Sequence, residues 1–251
     1  METATRVEAI PPITREEAEA LARTEYTRVA DQLRSLAPPD WTRPTDCPLW
    51  DVRAVAGHTA GMLSTFTSYR RLARTMTAAT RAAKRSGKPM VDEMTAKQVA
   101  DHAGSSTSEL IAEIEAVGPR AARWRASRPA LLRRMPMQEE VGGMPETWRL
   151  GYLLDIILTR DPWMHRVDIA GATGREMELT SQHDGRIIAD VVAEWSRRHS
   201  QPFTLTLTGP AGGTYVAGDG GERLTIDAIE FCRTLSGRTS GSGLLAQEVP
   251  F

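Results

Sequence analysis

Residues 146–171 read ETWRLGYLLDIILTRDPWMHRVDIAG. Within them Leu150, Leu154, Ile157, Asp161, His165 and Asp168 recur at steps of three and four, the spacing of one helical face. The stripe begins apolar and ends polar. It predicts a helix from about Glu146 to Gly171 that buries its first half and presents side chains with chemistry in its second. Asp161 and His165 are four apart, so a continuous helix aims both the same way. A carboxylate oxygen and an imidazole nitrogen one turn apart suit a divalent cation. A plainer reading stays open: Asp161 precedes Pro162, and proline favours the first turn of a helix. Asp161 would then be an N-cap, with the helix split there.

Working outward, residues 1–12 read as a loose leader ending in Pro11-Pro12, and Thr14 with Glu17 has the form of a capping box. Ala18, Leu21, Val29, Leu33 and Leu36 predict a helix over 15–36, closed by Pro38-Pro39. After a loop with Trp41 and Cys47, Val52, Val55, Met62, Phe66 and Tyr69 mark a second helix. It starts near Leu49 and continues, with a break, toward residue 84. A third helical region covers roughly 95–127, broken or kinked at Gly118-Pro119, and 127–145 reads as irregular. Four helices joined by loops suggest an up-down bundle. His58 lies on the second helix between Val55 and Met62, where it is either a core histidine or a third ligand facing Asp161 and His165.

The texture changes after Gly174. A short helix over 181–199 precedes an alternating strand, Phe203 to Leu207, a turn at Gly209–Gly213 and a returning strand, Thr214 to Ala217. Glu222 to Ile226 predicts another strand, Asp227 caps a last helix over 228–236, and a Gly/Ser-rich tail follows. The boundary between the halves falls at 176/177.

The 251 residues carry a formal net charge of −1, which argues against broad binding to nucleic acid. Cys47 and Cys232 lie far apart, so a disulfide framework is not expected, and a reducing, cytoplasmic compartment fits. The start, Met1-Glu2-Thr3, lacks a signal-peptide pattern, and no apolar run is long enough to span a bilayer. Cys47, before a proline at a helix entry, reads as a buried small residue, and Trp50 and Trp163 as core aromatics.

The segment Cys47-Pro-Leu-Trp-Asp-Val-Arg-Ala-Val-Ala-Gly-His58 resembles the C-P-G-W-x-V-x-D-V-x-A-H run of the mycothiol-dependent maleylpyruvate isomerase family, within the DinB-like superfamily. Arg160-Asp-Pro-Trp-Met-His165-Arg-Val-Asp168 is similar to that family's R-D-x-W-x-H-R-x-D block, and Leu235-Ser-Gly-Arg238 to its S-G-R motif. The resemblance implies a mainly α protein: a DinB-like up-down four-helix bundle over 1–176, then a small α+β domain over 177–251. It implies a metal held by His58, Asp161 and His165, and mycothiol as cosubstrate. The activity implied is cis–trans isomerisation, or thiol transfer to a small electrophile. This chain has Asp161 where the family's isomerases carry glutamate, and Pro162 follows it.

The implied role of the metal is to lower the pKa of a bound thiol. Zinc is the default for mixed nitrogen and oxygen ligands, with nickel, iron and manganese open. Arg238 is the candidate for holding a substrate carboxylate, or else an exposed arginine in the tail. Arg166 and Asp168 either orient His165 or form an inter-helix salt bridge. The partners expected are a small-molecule substrate and a low-molecular-weight thiol, with no nucleic acid and no membrane, in a monomer or homodimer. The competing function is a metal- or ligand-binding bundle without catalysis.

Overall fold

Apolar residues at helical spacing yield helices over most of the first 126 residues of this computed structural model, which describes residues 4–251. After a two-residue strand, β1 (Thr5–Arg6), α1 runs Arg15–Arg34 and buries Ala18, Leu21, Val29 and Leu33. Helix α2 (Val52–Thr65) is capped by Asp51, whose Oδ1 accepts the Ala54 N–H at 2.8 Å. The expected break follows, and α3 (Tyr69–Ser86) ends at Gly87 with φ 75°. The single helix expected over 95–127 is two, α4 (Met90–Asp101) and α5 (Thr107–Ala126). Ser106 and Glu109 form a capping box that starts α5 afresh, and Pro119 lies inside α5 without ending it. Helices α2 and α4 approach closely at Gly61, where an added Cβ would lie 2.7 Å from the Cβ of Gln98.

A short turn of helix, α6 (Ala130–Arg133), leads into a hairpin of β2 (Pro136–Val141) and β3 (Met144–Arg149). Two corrections follow. The stretch expected to be irregular is largely this hairpin, and Glu146 to Arg149 are its second strand, not a first helical turn. The hairpin forms because Gly142 and Gly143, at φ 58° and 74°, supply the two left-handed residues of a tight loop. The helix begins at α7 (Leu150–Tyr152), passes through one π turn (Leu153–Ile157) and continues as α8 (Leu158–Thr173). Pro162 lies inside α8. A proline ring crowds the carbonyl four residues earlier, here that of Leu158, whose ψ of 7° departs from the helical value. The helix therefore opens just before the proline and is not split at Asp161.

Helix α9 (Asp184–His199) precedes β4 (Phe203–Thr208), β5 (Gly213–Ala217), β6 (Glu222–Asp227) and α10 (Ala228–Leu235). Asp227 caps α10 as expected, accepting the Ile229 and Glu230 N–H groups at 2.9 and 3.2 Å. The sheet order is β1-β5-β4-β6. Strand β5 returns antiparallel to β4, while β6 runs parallel to β4 and β1 parallel to β5. The leader is thus in part a strand, because β5 offers Thr5 and Arg6 an edge. Met1-Glu2-Thr3, with the expectation that rested on them, lie outside the described residues. The tail is packed as well: Val249 is buried, its N–H donates to the Leu235 carbonyl at 2.9 Å, and Trp195 Nε1 donates to the Leu244 carbonyl at 3.0 Å. Among the described residues no helix is long and apolar enough to cross a membrane.

The chain forms two compact units. A helical unit comprises residues 15–130 and 165–177; a mixed unit comprises the chain up to Thr14, residues 131–164 and residues 178–251. The division falls inside α8. In the helical unit, Arg166 on α8 meets Glu25 on α1 at 3.1 Å, with the two side chains 1% and 0% exposed. In the mixed unit, Arg160 bonds Asp190 at 2.6 Å and Glu194 at 2.8 Å, and Glu194 also accepts from Tyr152 and Arg198.

Removing one partner of a buried ion pair strands the other charge, at about 3–5 kcal/mol. Glu25→Ala should lose stability on that scale in chemical denaturation, and Glu25→Leu with Arg166→Met should regain most of it. Burial pushes the Glu194 carboxyl up, but the Arg160 charge, the Tyr152 hydroxyl and Arg198 outweigh it and hold its pKa below the ordinary 4.5. A depressed carboxylate stabilises the fold above its unfolded pKa and loses that contribution as pH falls through the folded one. Thermal stability should therefore fall below about pH 4.5, and less steeply in Glu194→Gln.

Candidate functional site

Helix α8 turns His165 and Asp168 to the same side, three residues apart, and both are buried. Asp168 Oδ2 stands 2.9 Å from His165 Nδ1. With Asp168 ionised, the proton sits on Nδ1 and the lone pair on Nε2, the arrangement that readies an imidazole to coordinate. Asp168 thus takes the orienting role open to it. Arg166 does not share that role: its guanidinium is engaged by Glu25, as an inter-helix salt bridge.

His58, 4% exposed on α2, has its ring centroid 5.1 Å from that of His165, the planes at 81°. Asp161 stands one turn before His165 on α8. Within the helical unit the two histidines thus face each other, and α8 carries a carboxylate one turn before the second. Two imidazole nitrogens and a carboxylate oxygen are a donor set that suits a divalent cation, with positions left for an exchangeable ligand. The geometry depends on α8 passing unbroken through Pro162.

Two residues outside the expected set adjoin the histidines. Trp50, expected in the core, is only half-buried, and its ring lies 4.9 Å from that of His58 and 5.9 Å from that of His165. Cys47, expected to be buried, is also half-buried; its Sγ is 3.3 Å from Asp168 Oδ2 and 3.8 Å from His165 Nδ1. Both belong to one turn, Cys47-Pro48-Leu49-Trp50, closed by the Trp50 N–H donating to the Cys47 carbonyl at 3.1 Å. A Pro followed by a positive φ is the signature of a type II turn. That signature was available in the sequence, but glycine normally occupies the third position. Here Leu49 holds φ 75° with its side chain fully exposed. Arg238 lies in the mixed unit, half-buried in the turn after α10, its N–H donating to the Arg233 carbonyl at 2.9 Å.

An L-residue held left-handed costs roughly 1–2 kcal/mol, partly balanced by the chain entropy a glycine would lose. Leu49→Gly should therefore raise stability by about 0.5–1 kcal/mol in chemical denaturation. No change, or a loss, would show that the exposed leucine is held by contacts outweighing its strain.

A sequence profile of the mycothiol maleylpyruvate isomerase N-terminal domain matches residues 22–170. Among solved structures, the chain is similar to the crystal structure of the mycothiol-dependent maleylpyruvate isomerase, with TM-score 0.55 and 18% identity, covering 95% of this chain and 94% of that one. It is similar also to a histidine-to-alanine variant of that isomerase, with TM-score 0.52 and 18% identity, covering 94% and 93%. No curated protein sequence matches.

Proposed function

We propose that this chain, which belongs to the mycothiol maleylpyruvate isomerase N-terminal domain family, is a metal- and mycothiol-dependent enzyme acting on a small electrophile that bears a carboxylate. The observation that carries the reading is the facing pair of His58 and His165, with Asp161 one turn before His165 on the same helix. On this reading the helical unit is a DinB-like four-helix bundle, with zinc as the default ion. A divalent cation held there supplies Lewis acidity toward a thiol, favouring thiolate at neutral pH.

The chain's own residues do the rest. His58 and His165 give neutral nitrogens and Asp161 the single negative charge, so an anionic thiolate is not repelled by a crowd of carboxylates. Asp168 holds the His165 proton at Nδ1 and keeps the ring in register. Trp50 covers the His58 ring and limits water beside it. Arg238 is assigned to the substrate carboxylate, on the strength of the Leu235-Ser-Gly-Arg238 motif and the planar match of guanidinium to carboxylate. With a thiolate adding to the activated double bond, rotation about the resulting single bond and loss of the thiolate give isomerisation. Displacement of a leaving group instead gives thiol transfer.

A non-catalytic bundle is favoured by Asp161, one methylene shorter than glutamate, and by Pro162; α8 passes through the proline, while the shorter carboxylate remains. The two readings separate in one experiment on Cys47→Ser protein, in which the neighbouring thiol cannot hold an ion. Zinc by elemental analysis should be near one equivalent, and should fall about tenfold or more in Cys47→Ser/His58→Ala. Consumption of mycothiol with maleylpyruvate should fall with it. Absence of zinc from both proteins, even after zinc is supplied, would sink the metal site. Full zinc with no thiol-dependent turnover of maleylpyruvate or simple electrophiles would leave a binding protein.

A further inference from the structure

His165 belongs to two donor sets. Besides the group with His58 and Asp161, it stands with Cys47 and Asp168, and these three offer ligand atoms within 4.8 Å of one another. The separations are 2.9 Å for Nδ1 to Oδ2, 3.3 Å for Sγ to Oδ2 and 3.8 Å for Sγ to Nδ1. A triangle with those sides has a circumscribed radius of about 2.0 Å, and a tetrahedral ion with bonds of about 2.1 Å needs a ligand triangle of that size. Asp168 is 0% and His165 5% exposed, while Cys47 is half-buried, so the set is walled on one side and reachable on the other.

From this geometry we infer that Cys47, His165 and Asp168 form a second cation site, for a thiophilic divalent ion such as zinc or cadmium. Sulfur is what separates it chemically from the all-nitrogen-and-oxygen group, since soft cations select thiolate. Binding releases the Cys47 thiol proton and moves the His165 proton from Nδ1 to Nε2, so that the Nδ1 lone pair faces the ion. A neutral imidazole has one lone pair. The two sets therefore use His165 in turn, and filling one weakens the other. A thiophilic ion on the Cys47 side withdraws His165 from His58 and Asp161.

Cobalt(II) reports the donor atoms directly, because a thiolate ligand adds an intense near-ultraviolet charge-transfer band. Metal-stripped full-length protein titrated with cobalt(II) should develop that band. It should rise at lower cobalt in His58→Ala, where the competing set is broken, and vanish in Cys47→Ser. Absence of the band from both the wild type and His58→Ala overturns the site, as does a band that survives in Cys47→Ser. A band in His58→Ala supports it even if no thiol chemistry is found, so this site and the proposed enzyme activity stand or fall separately. Should Cys47→Ser fold poorly, the unaltered protein still decides. Cadmium should slow alkylation of Cys47 by iodoacetamide by about tenfold or more, and an unchanged rate overturns the site.

Discussion

Helix α8 carries four charged or ionisable side chains, Arg160, His165, Arg166 and Asp168, into the interior, each 5% exposed or less. A buried charge is tolerated only when a partner of opposite sign or a hydrogen-bonding group meets it. That demand organises what surrounds the helix. Arg166 requires Glu25 on α1, and Arg160 requires Asp190 and Glu194 on α9. Asp168 answers His165 from the same helix. Glu25, Asp190 and Glu194 each fix the rotation of the stretch of α8 that they meet, and in the helical unit this rotation turns His165 toward His58. The pairs gain little net energy over apolar side chains of equal size. Their effect is on register: a helix turned by one residue would leave Arg160 and Arg166 without their partners.

The π turn before Pro162 belongs to the same logic. Proline removes a donor and crowds the preceding turn, and the extra residue in the turn at Leu153–Ile157 takes up the misfit. Asp155 within that turn pairs with Arg133, so the wider turn is tied down. The result keeps Asp161 on the face of His165, although local sequence at Asp161-Pro162 equally describes a capped helix start.

Much of the fold was legible because it depends on local rules. The stripes of α1 and α2, the alternation of Phe203 to Leu207 and the cap at Asp227 need only neighbours in sequence. The hairpin of β2 and β3 was missed because its strands carry Gln138, Glu139, Glu140, Glu146 and Thr147, which show no apolar alternation. The start of α5 at Ser106 was readable from Glu109 three residues on, the pattern of a capping box. Of the candidate site, Asp161 and His165 share a helical face by spacing, and the approach of His165 to His58 matches the expectation of facing helices. Cys47 and Trp50 could not be read this way. Their contacts with His165 and Asp168 cross more than a hundred residues, and they depend on a turn with leucine where glycine was to be expected.

Strand β1 has a consequence for how the protein is made. Thr5 pairs with Tyr215, 210 positions later in the chain. A ribosome adding about 5–20 residues per second needs roughly 10–40 s to supply that partner. Throughout this interval the first strand has no edge to join, while α1 to α5 are made one after another. The helices can begin to assemble during synthesis. The mixed unit, gathered from three separate stretches, must wait until its last strands leave the ribosome.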